Sequence, residues 1–366
     1  MKVVVLMGGT SAEREISLRT GAGIAAALRK RGHEVTALDA ADGAVLPPGA
    51  ETARALPAGR ALPAAAPAAA VVPRGRVFLA QAAPLRDADL VFLALHGGAG
   101  EDGTIQALLD LAGRPYTGSG MLASALAMDK AMSKRLFEHA GIPTPAWRLY
   151  HAGEPARPTA ADAEALGGFP IVVKPNEEGS TFGLTIVKQA AGLESAFDEA
   201  VRFSPNVLVE AYIPGRELTV AVLGDEALPV IEIVPQHGLY DYECKYTPGM
   251  SRYICPAELP DDVTERLKEL SLLSCRTLGT SGVVRVDFRL APDGTPYCLE
   301  LNTIPGMTAT SLVPMAAKAR GLSFEDLCER IAALALARFE AERLRGAPGT
   351  PQGTASDAAP GRPAAR

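Results

Sequence analysis

The chain has 366 residues with a formal net charge of −6; 48% of them are hydrophobic but only 5% aromatic. That length allows two or three domains with sizeable cores, and the composition excludes a disordered chain, a collagen-like fibre and a small disulfide scaffold. The balance of 36 Lys+Arg against 42 Asp+Glu offers no phosphate-neutralising surface, so nucleic acid is not an expected partner. No secretory signal is visible, because the opening apolar run Val3 to Met7 is short and leads straight into Gly8-Gly9. The longest apolar stretch, Ala61 to Val72, is broken by Pro63 and Pro67 and cannot make the roughly 20-residue helix that a bilayer requires. No membrane partner is expected either. The five cysteines (Cys244, Cys255, Cys275, Cys298, Cys328) are odd in number and scattered, as in reduced thiols of a cytoplasmic protein.

In chain order, Lys2 to Met7 reads as a strand, Gly8-Gly9 as a tight turn and Ser11 to Arg31 as a helix. A second strand is expected at Glu34 to Leu38, which opens an α/β layer with a parallel sheet. From Gly43 to Gly75 the chain turns Ala/Pro/Gly-rich, an irregular insertion without chemistry. The apolar run Leu90 to Leu95 suits a strand covered on both faces. Met121 to Ala140 favours one long helix, and His151 to Gly168 a helix with loops. Strands follow at Pro170–Lys174, Leu184–Lys188 and Val207–Glu210, and a strand-rich portion begins at Glu217. The end, Gly346 to Arg366, carries no large aliphatic residue and reads as a disordered tail. There is no internal repeat.

The hairpin Val283 to Asn302 carries the first chemical signal. Val284, Val286, Phe288 and Leu290 share one face, and Arg285, Asp287 and Arg289 the other. If Leu290 pairs with Thr295, Arg285 lies opposite Glu300, with Asp287 diagonal to it. Asp287, Glu300 and Asn302 then offer oxygens to a common point, as Mg²⁺ requires. The same residues also fit a solvated face with a cross-strand Arg–Glu pair. The segment Lys174-Pro-Asn-Glu-Glu-Gly-Ser180-Thr-Phe-Gly183 joins two strands and suits a phosphate cradle, although an ordinary polar loop has the same composition. It is not a Walker A loop. Thr10-Ser11-Ala12-Glu13 fits a capping box, whereas a functional Glu13 would offer its carboxylate to a substrate ammonium. His96 ends a buried strand where open α/β sheets bind ligands, and a structural histidine sits there as readily.

These pieces converge. The segments MGGTSAEREISL (7–18), LHGGAGEDGTIQ (95–106), YTGSG…AMDK (116–130), VVKPNEEGSTFG (172–183), YDYECKY (240–246), GVVRVDF (282–288) and LELNTIPGMTATSLVPM (299–315) resemble, in order, those of the D-alanine–D-alanine ligases of the ATP-grasp superfamily. The resemblance implies a three-domain α/β ATP-grasp fold: an N-terminal parallel-sheet domain at 1–129, a central subdomain at 130–214, and a C-terminal subdomain at 215–345 with a lid at about 236–252. The tail is 346–366.

It also implies roles. Lys130, Lys174 and Lys245 match ATP-phosphate lysines, and Glu210, Tyr212, Ile213 and Glu217 match the segment that holds adenine and ribose. Asp287, Glu300 and Asn302 match the ligands of two Mg²⁺ ions, for which Mn²⁺ can substitute. Arg285 and the backbone at Gly306 match the groups that stabilise charge on the reacting carbonyl. Glu13 matches the carboxylate that binds the first D-alanine, with His96 also on the substrate side. Ser311 and Leu312 match positions around the second carboxylate, and Glu13, Ser180 and Tyr246 a hydrogen-bonded trio.

The implied reaction uses ATP to activate one D-alanine as an acyl phosphate, which the amine of a second D-alanine attacks. A homodimer is implied as well. The nearest alternative is a ligase making D-alanyl-D-lactate or D-alanyl-D-serine, and Tyr246 argues against lactate because several lactate-forming relatives carry phenylalanine there. A regulatory ATP-binding module would lack a metal or charge-stabilising group, and none is missing. A nicotinamide enzyme fails on the spacing of its glycines. Departures from the pattern are Arg14, where many relatives have histidine, and Leu239, where an aromatic is common.

Overall fold

The structure is a computed structural model that describes residues 1–54, 82–236, 249–308 and 310–346. The opening aliphatic run forms β1 (Lys2–Met7). It lies parallel to β2 (Glu34–Asp39), which carries the short antiparallel β3 (Val45–Leu46) on its outer edge, and parallel to β4 (Leu90–Leu93) on its other side. Val3, Val5 and Met7 pack with Phe92 on one face, and Val4 and Leu6 with Val91 and Leu93 on the other. Burial on both faces is why these strands read as unbroken apolar runs.

Helix α1 (Arg14–Lys30) lies on the first of those faces. Gly21 permits the close approach, because a Cβ there would meet the Met7 side chain at 2.6 Å. The helix starts at Arg14 rather than Ser11, and no capping box forms: Glu13 is the N-cap residue but its side chain makes no capping bond. Residues 43–54 of the insertion pack onto the domain. Leu46 of β3 is buried, and Glu51, in a 3₁₀ turn at Glu51–Arg54, pairs with Arg29 of α1 at 2.6 Å. The rest of the Ala/Pro-rich segment, 55–81, lies outside the described residues.

Helices α2 (Ala83–Arg86) and α3 (Thr104–Leu111) flank β4 in sequence. The single helix expected over Met121–Ala140 is two: α4 (Met121–Met128) and α5 (Lys130–His139). Asp129 leaves helical geometry at φ −80, ψ 97, and its carboxylate accepts the Met132 N–H. Composition favours helix on both sides of this point, so only the capping chemistry marks the break.

A second, antiparallel sheet has the order β5-β8-β6-β7, built from β5 (Trp147–His151), β6 (Ile171–Pro175), β7 (Thr185–Val187) and β8 (Asn206–Ala211). Helices α6 (Ala160–Ala165) and α7 (Leu193–Val201) cover one of its faces through Ala163, Leu193 and Phe197.

The third sheet is also antiparallel. Its main path is β12-β11-β9-β13-β14, with β10 on β9: β9 (Arg216–Leu223), β10 (Glu226–Ala227), β11 (Ile231–Pro235), β12 (Ser251–Ile254), β13 (Val283–Leu290) and β14 (Pro296–Asn302). Val220, Val286 and Phe288 face α8 (Asp261–Leu278). On the other side, Ala221 and Val283 join one continuous core with α9 (Leu312–Ala319), α10 (Phe324–Gly346) and the α1 face of the first sheet. The α1 face of the first sheet is thereby tied to the third sheet. Most of the expected lid, 237–248, and the tail, 347–366, lie outside the described residues. Among the described residues no helix is long and apolar enough to cross a membrane.

Candidate active site

A cleft of about 1050 Å³, partly continuous with solvent, opens between the second and third sheets. Of the residues singled out from the sequence, it gathers Lys130, Lys174, Ser180, Glu210, Tyr212, Ile213, Glu217, Asp287 and Glu300. Lys174 on β6 pairs with Glu210 on β8 at 2.7 Å. The other oxygen of Glu210 pairs at 2.8 Å with Lys134, a fully buried residue of α5 that also donates to Thr144 Oγ1 at 2.7 Å. Burial pushes the Glu210 carboxyl up, but the two ammonium groups outweigh it and hold the carboxyl below its ordinary range. Burial pulls Lys134 down, partly offset by Glu210. Of this trio Lys174 and Glu210 line the cleft, while Lys134 supports Glu210 from the core. Lys130, at the start of α5, donates to the Glu178 carbonyl at 2.7 Å and lies 3.3 Å from Glu300.

One arginine organises the strap from Tyr212 to Glu217. Arg289 donates to the Ile213 carbonyl at 3.1 Å, reaches Glu217 at 3.4 Å, and sets its guanidinium 5.8 Å from the Tyr212 ring centre. The register of β9 against β13 explains this, since Glu217 lies opposite Arg289, Thr219 opposite Asp287 and Ala221 opposite Arg285.

The β13–β14 hairpin differs from the uniform register expected of it. Leu290 pairs with Pro296 rather than Thr295, and a bulge at Leu299 shifts the pairing between Asp287 and Phe288. Asp287 therefore lies opposite Glu300, and Arg285 opposite Asn302 rather than Glu300. The extra residue also re-aims the strand. Cys298 drops into the core opposite Phe288, while Leu299 and Glu300 both face the cleft. Strict alternation along β14 would put Cys298 on the same face as Glu300. Asp287 accepts from Thr219 Oγ1 at 2.6 Å and from Arg285 at 2.7 Å and 2.9 Å, and Asn302 Oδ1 accepts the Ile304 N–H at 3.0 Å. Two carboxylates and an amide oxygen form a hard donor set that fits Mg²⁺ and leaves coordination positions for phosphate or water.

At the carboxyl end of the first sheet carboxyl groups gather. Glu13 accepts a hydrogen bond from Ser180 Oγ, linking the start of α1 to the loop after β6. Ser180 and Thr181 have φ of 47 and 63, left-handed backbone that non-glycine residues rarely adopt. Glu101 is buried beside this point, with Oε2 accepting the Gly97 N–H at 2.8 Å. Burial and the nearby Glu13 push its carboxyl up to about 8. Glu178, on the same loop as Ser180, is pushed up to about 7, chiefly by burial. His96 is buried 3.1 Å from Thr20 Oγ1, and burial lowers its pKa, which favours the neutral ring.

Ser311 precedes α9 without capping it. Its Oγ accepts the Thr308 N–H at 3.0 Å, while Leu312 is buried in the core. A Cβ at Gly306 would stand 3.0 Å from Ser311 Oγ, so the two positions adjoin. Arg14 pairs with buried Asp39 at 2.6 Å and donates to the Gly9 carbonyl at 2.8 Å. Gly8, at φ +76, is needed here because a Cβ would lie 2.4 Å from Asp39 Oδ1. Lys245 and Tyr246 lie outside the described residues.

Sequence reasoning missed Lys134, Arg289, Glu101 and Asn176. A signal existed for each. Lys134 follows Lys130 by one helical turn, Arg289 alternates with Arg285 and Asp287, and the other two lie inside the matched segments 95–106 and 172–183.

Two family models match: the D-ala D-ala ligase N-terminus over residues 2–119 and the D-ala D-ala ligase C-terminus over 136–333. The chain belongs to the D-alanine–D-alanine ligase family. It is 46% identical over 332 residues to the D-alanine–D-alanine ligase of Gloeobacter violaceus, covering 90% of this chain and 98% of that one. Identity to the D-alanine–D-alanine ligase of Anaeromyxobacter sp. strain Fw109-5 is 47% over 331 residues, covering 90% and 95%. Among solved structures, the Bacillus anthracis D-alanine–D-alanine ligase complexed with ATP superposes with a TM-score of 0.74 at 31% identity, covering 93% of this chain and 99% of that one. The Coxiella burnetii D-alanine–D-alanine ligase superposes with a TM-score of 0.77 at 26% identity, covering 94% and 96%. A multi-domain α/β ATP-grasp fold is thus shared with the family.

Proposed function

We propose that the chain is an ATP-dependent ligase that joins two D-alanine molecules into D-alanyl-D-alanine, with release of ADP and phosphate, for peptidoglycan precursor synthesis. Within the site, the observation that carries this reading is the Glu13–Ser180 contact. It sets a carboxylate suited to an ammonium beside a loop that borders a lysine-lined cleft, as the joining of an amino acid to a phosphoryl donor requires.

Lys130 and Lys174 neutralise the polyphosphate of ATP, and the 212–217 strap braced by Arg289 receives adenine and ribose. Glu210 contributes there through its main chain, because its carboxylate is held by Lys134 and Lys174. Glu13, with His96 beside it, holds the first D-alanine by its ammonium. That amino acid's carboxylate attacks the γ-phosphorus, a P–O bond forms, the bond to the β-phosphate breaks and ADP leaves. The amine of the second D-alanine, held near Ser311 and Leu312, loses a proton and attacks the acyl carbon, and phosphate departs with the C–O bond. Arg285 and the Gly306 amide stabilise the developing oxyanion. Asp287, Glu300 and Asn302 would hold two Mg²⁺ ions (or Mn²⁺), which neutralise charge on the transferred phosphoryl group. Lys245 and Tyr246 belong to a lid over 236–252 that excludes water from the acyl phosphate.

The three sheets support a division at 129/130 and 214/215. Exposed Leu111, Met121 and Leu122 on α3 and α4 support a homodimer, to be checked by light scattering. Among the described residues Cys255, Cys275, Cys298 and Cys328 are free thiols, which supports a cytoplasmic location.

The test is phosphate release from ATP with Mg²⁺ under four conditions: no amino acid, L-alanine, D-alanine, and D-alanine plus D-lactate, with products separated by mass. Release that depends on D-alanine, with the dipeptide as product, is expected. Silence in every tube, or a depsipeptide as the main product, would overturn the proposal.

A further inference from the structure

We propose that Asn176 is a positioning residue for this reaction, locking the first turn of α5, and with it Lys130, to the loop that carries Ser180. The inference rests on the function proposed above.

The first N–H groups of a helix have no acceptor within it. In α5 they are satisfied largely from another element. The Lys130 N–H donates to the Asn176 carbonyl at 3.3 Å, and the Ala131 N–H to Asn176 Oδ1 at 2.8 Å. Only the Met132 N–H is capped locally, by Asp129 Oδ1 at 3.0 Å. The Asn176 Nδ2 group donates back to Asp129 Oδ1 at 2.7 Å and onward to Glu177 Oε1 at 2.8 Å. Glu177 in turn accepts from Asn206 Nδ2 at 2.7 Å and from Ser204 Oγ, while the Asn176 N–H donates to the Asn206 carbonyl at 2.9 Å. Asn176 is 1% exposed, so these bonds form without competition from water.

Two consequences follow for the site. The opening amides of α5 are spent on Asn176 and Asp129, so anionic oxygens must be met by the Lys130 side chain rather than by the helix end. Lys130 is also tied to the 176–178 segment twice, through its main chain and through Nζ on the Glu178 carbonyl at 2.7 Å. Two residues further on, Ser180 and Thr181 hold left-handed backbone, a conformation that persists only when its surroundings over-determine it. Asn176 and Glu177 clamp the start of that loop, and the Ser180–Glu13 contact holds its middle.

The test compares steady-state kinetics and thermal melting of the full chain with those of Asn176→Ala, Asn176→Asp and the double variant Asp129→Asn/Asn176→Asp. In Asn176→Ala the KM for ATP and the constant for the first D-alanine should both rise roughly 10- to 100-fold, as expected for one or two lost buried hydrogen bonds, with a smaller fall in kcat. Asn176→Asp keeps an acceptor for the Ala131 N–H but sets a carboxylate against Asp129 and Glu177, and should be worse. The double variant restores a donor–acceptor pair in reverse and should recover at least part of the loss in both constants. A lowered melting temperature with both constants unchanged in Asn176→Ala would overturn the proposal, since a merely structural residue behaves that way. So would a double variant no better than Asn176→Asp, a comparison that holds even if Asn176→Ala fails to fold. A wild-type chain that makes no dipeptide would instead sink the function proposed above.

Discussion

Buried carboxylates in two parts of this molecule are treated in opposite ways. In the cleft, Glu210 is fully enclosed, yet its carboxyl stays below its ordinary pKa because Lys134 and Lys174 grip one oxygen each. At the mouth of the first sheet, Glu101 is pushed up to about 8 and Glu178 to about 7 by burial, with Glu13 adding to both. Desolvation raises all three; at Glu210 two cations outweigh it, whereas at Glu178 the single cation Lys130 only offsets it. The cleft sets Lys130, Lys174 and Arg289 among its carboxylates, and these cations suit a polyphosphate. At the mouth Glu13 offers its carboxylate, which suits an ammonium.

Breaking the cleft should have the largest effect. Lys174→Ala removes a phosphate cation and half of the Glu210 grip, and kcat/KM for ATP should fall by about 1000-fold, as charge-stabilising groups in phosphoryl transfer commonly show. Initial rates against ATP check this, and a fall below tenfold would contradict the role given to the Lys174–Glu210 pair. Breaking the mouth should separate the two regions. Glu13→Gln keeps an acceptor for Ser180 but deletes the charge, so kcat/KM for D-alanine should fall by roughly 100-fold while the KM for ATP stays within about twofold. Equal changes in both would erase the distinction between the regions.

A third change tests a carboxylate held down outside the cleft. Asp39 is lowered to about 2: burial raises it, and Arg14 together with backbone N–H groups outweighs that. Its folded pKa lies below the unfolded value, so the stabilisation is fully present above about pH 4 and lost as pH falls toward 2. Arg14→Ala should cost roughly 2 kcal/mol at neutral pH and move acid unfolding to higher pH, as read by urea titration across pH.

The smallest effect tests a carboxylate pushed up. Glu101 keeps its proton in the folded chain to about pH 8 but loses it near pH 4.5 when unfolded, so it weakens the fold increasingly as pH rises between those values. Glu101→Gln still accepts the Gly97 N–H and should raise the melting temperature more at pH 8 than at pH 5. An equal shift at both would show that Glu101 is not the group that titrates.

Much of this was legible in the chain itself, because local rules govern it. Apolar runs marked β1 and β4, alternation marked the two faces of β13, and ordered motifs marked the family and most of the cleft. Other features depend on partners distant in sequence. Asp129 splits a stretch that composition favours as one helix, and the start of the second helix is held beside the end of β6 by Asn176, 47 positions from Asp129. The bulge at Leu299 moves Cys298 into the core and Glu300 to the cleft, a choice that depends on which residues oppose them across the hairpin. Glu13 could cap its own helix or reach the Ser180 loop, and only the docking of that loop against the first sheet selects the second. Charge is the last case. Glu101, Glu178 and Glu210 are the same residue type in sequence, and their opposite protonation tendencies follow from the cations and carboxylates that the tertiary fold places beside each one.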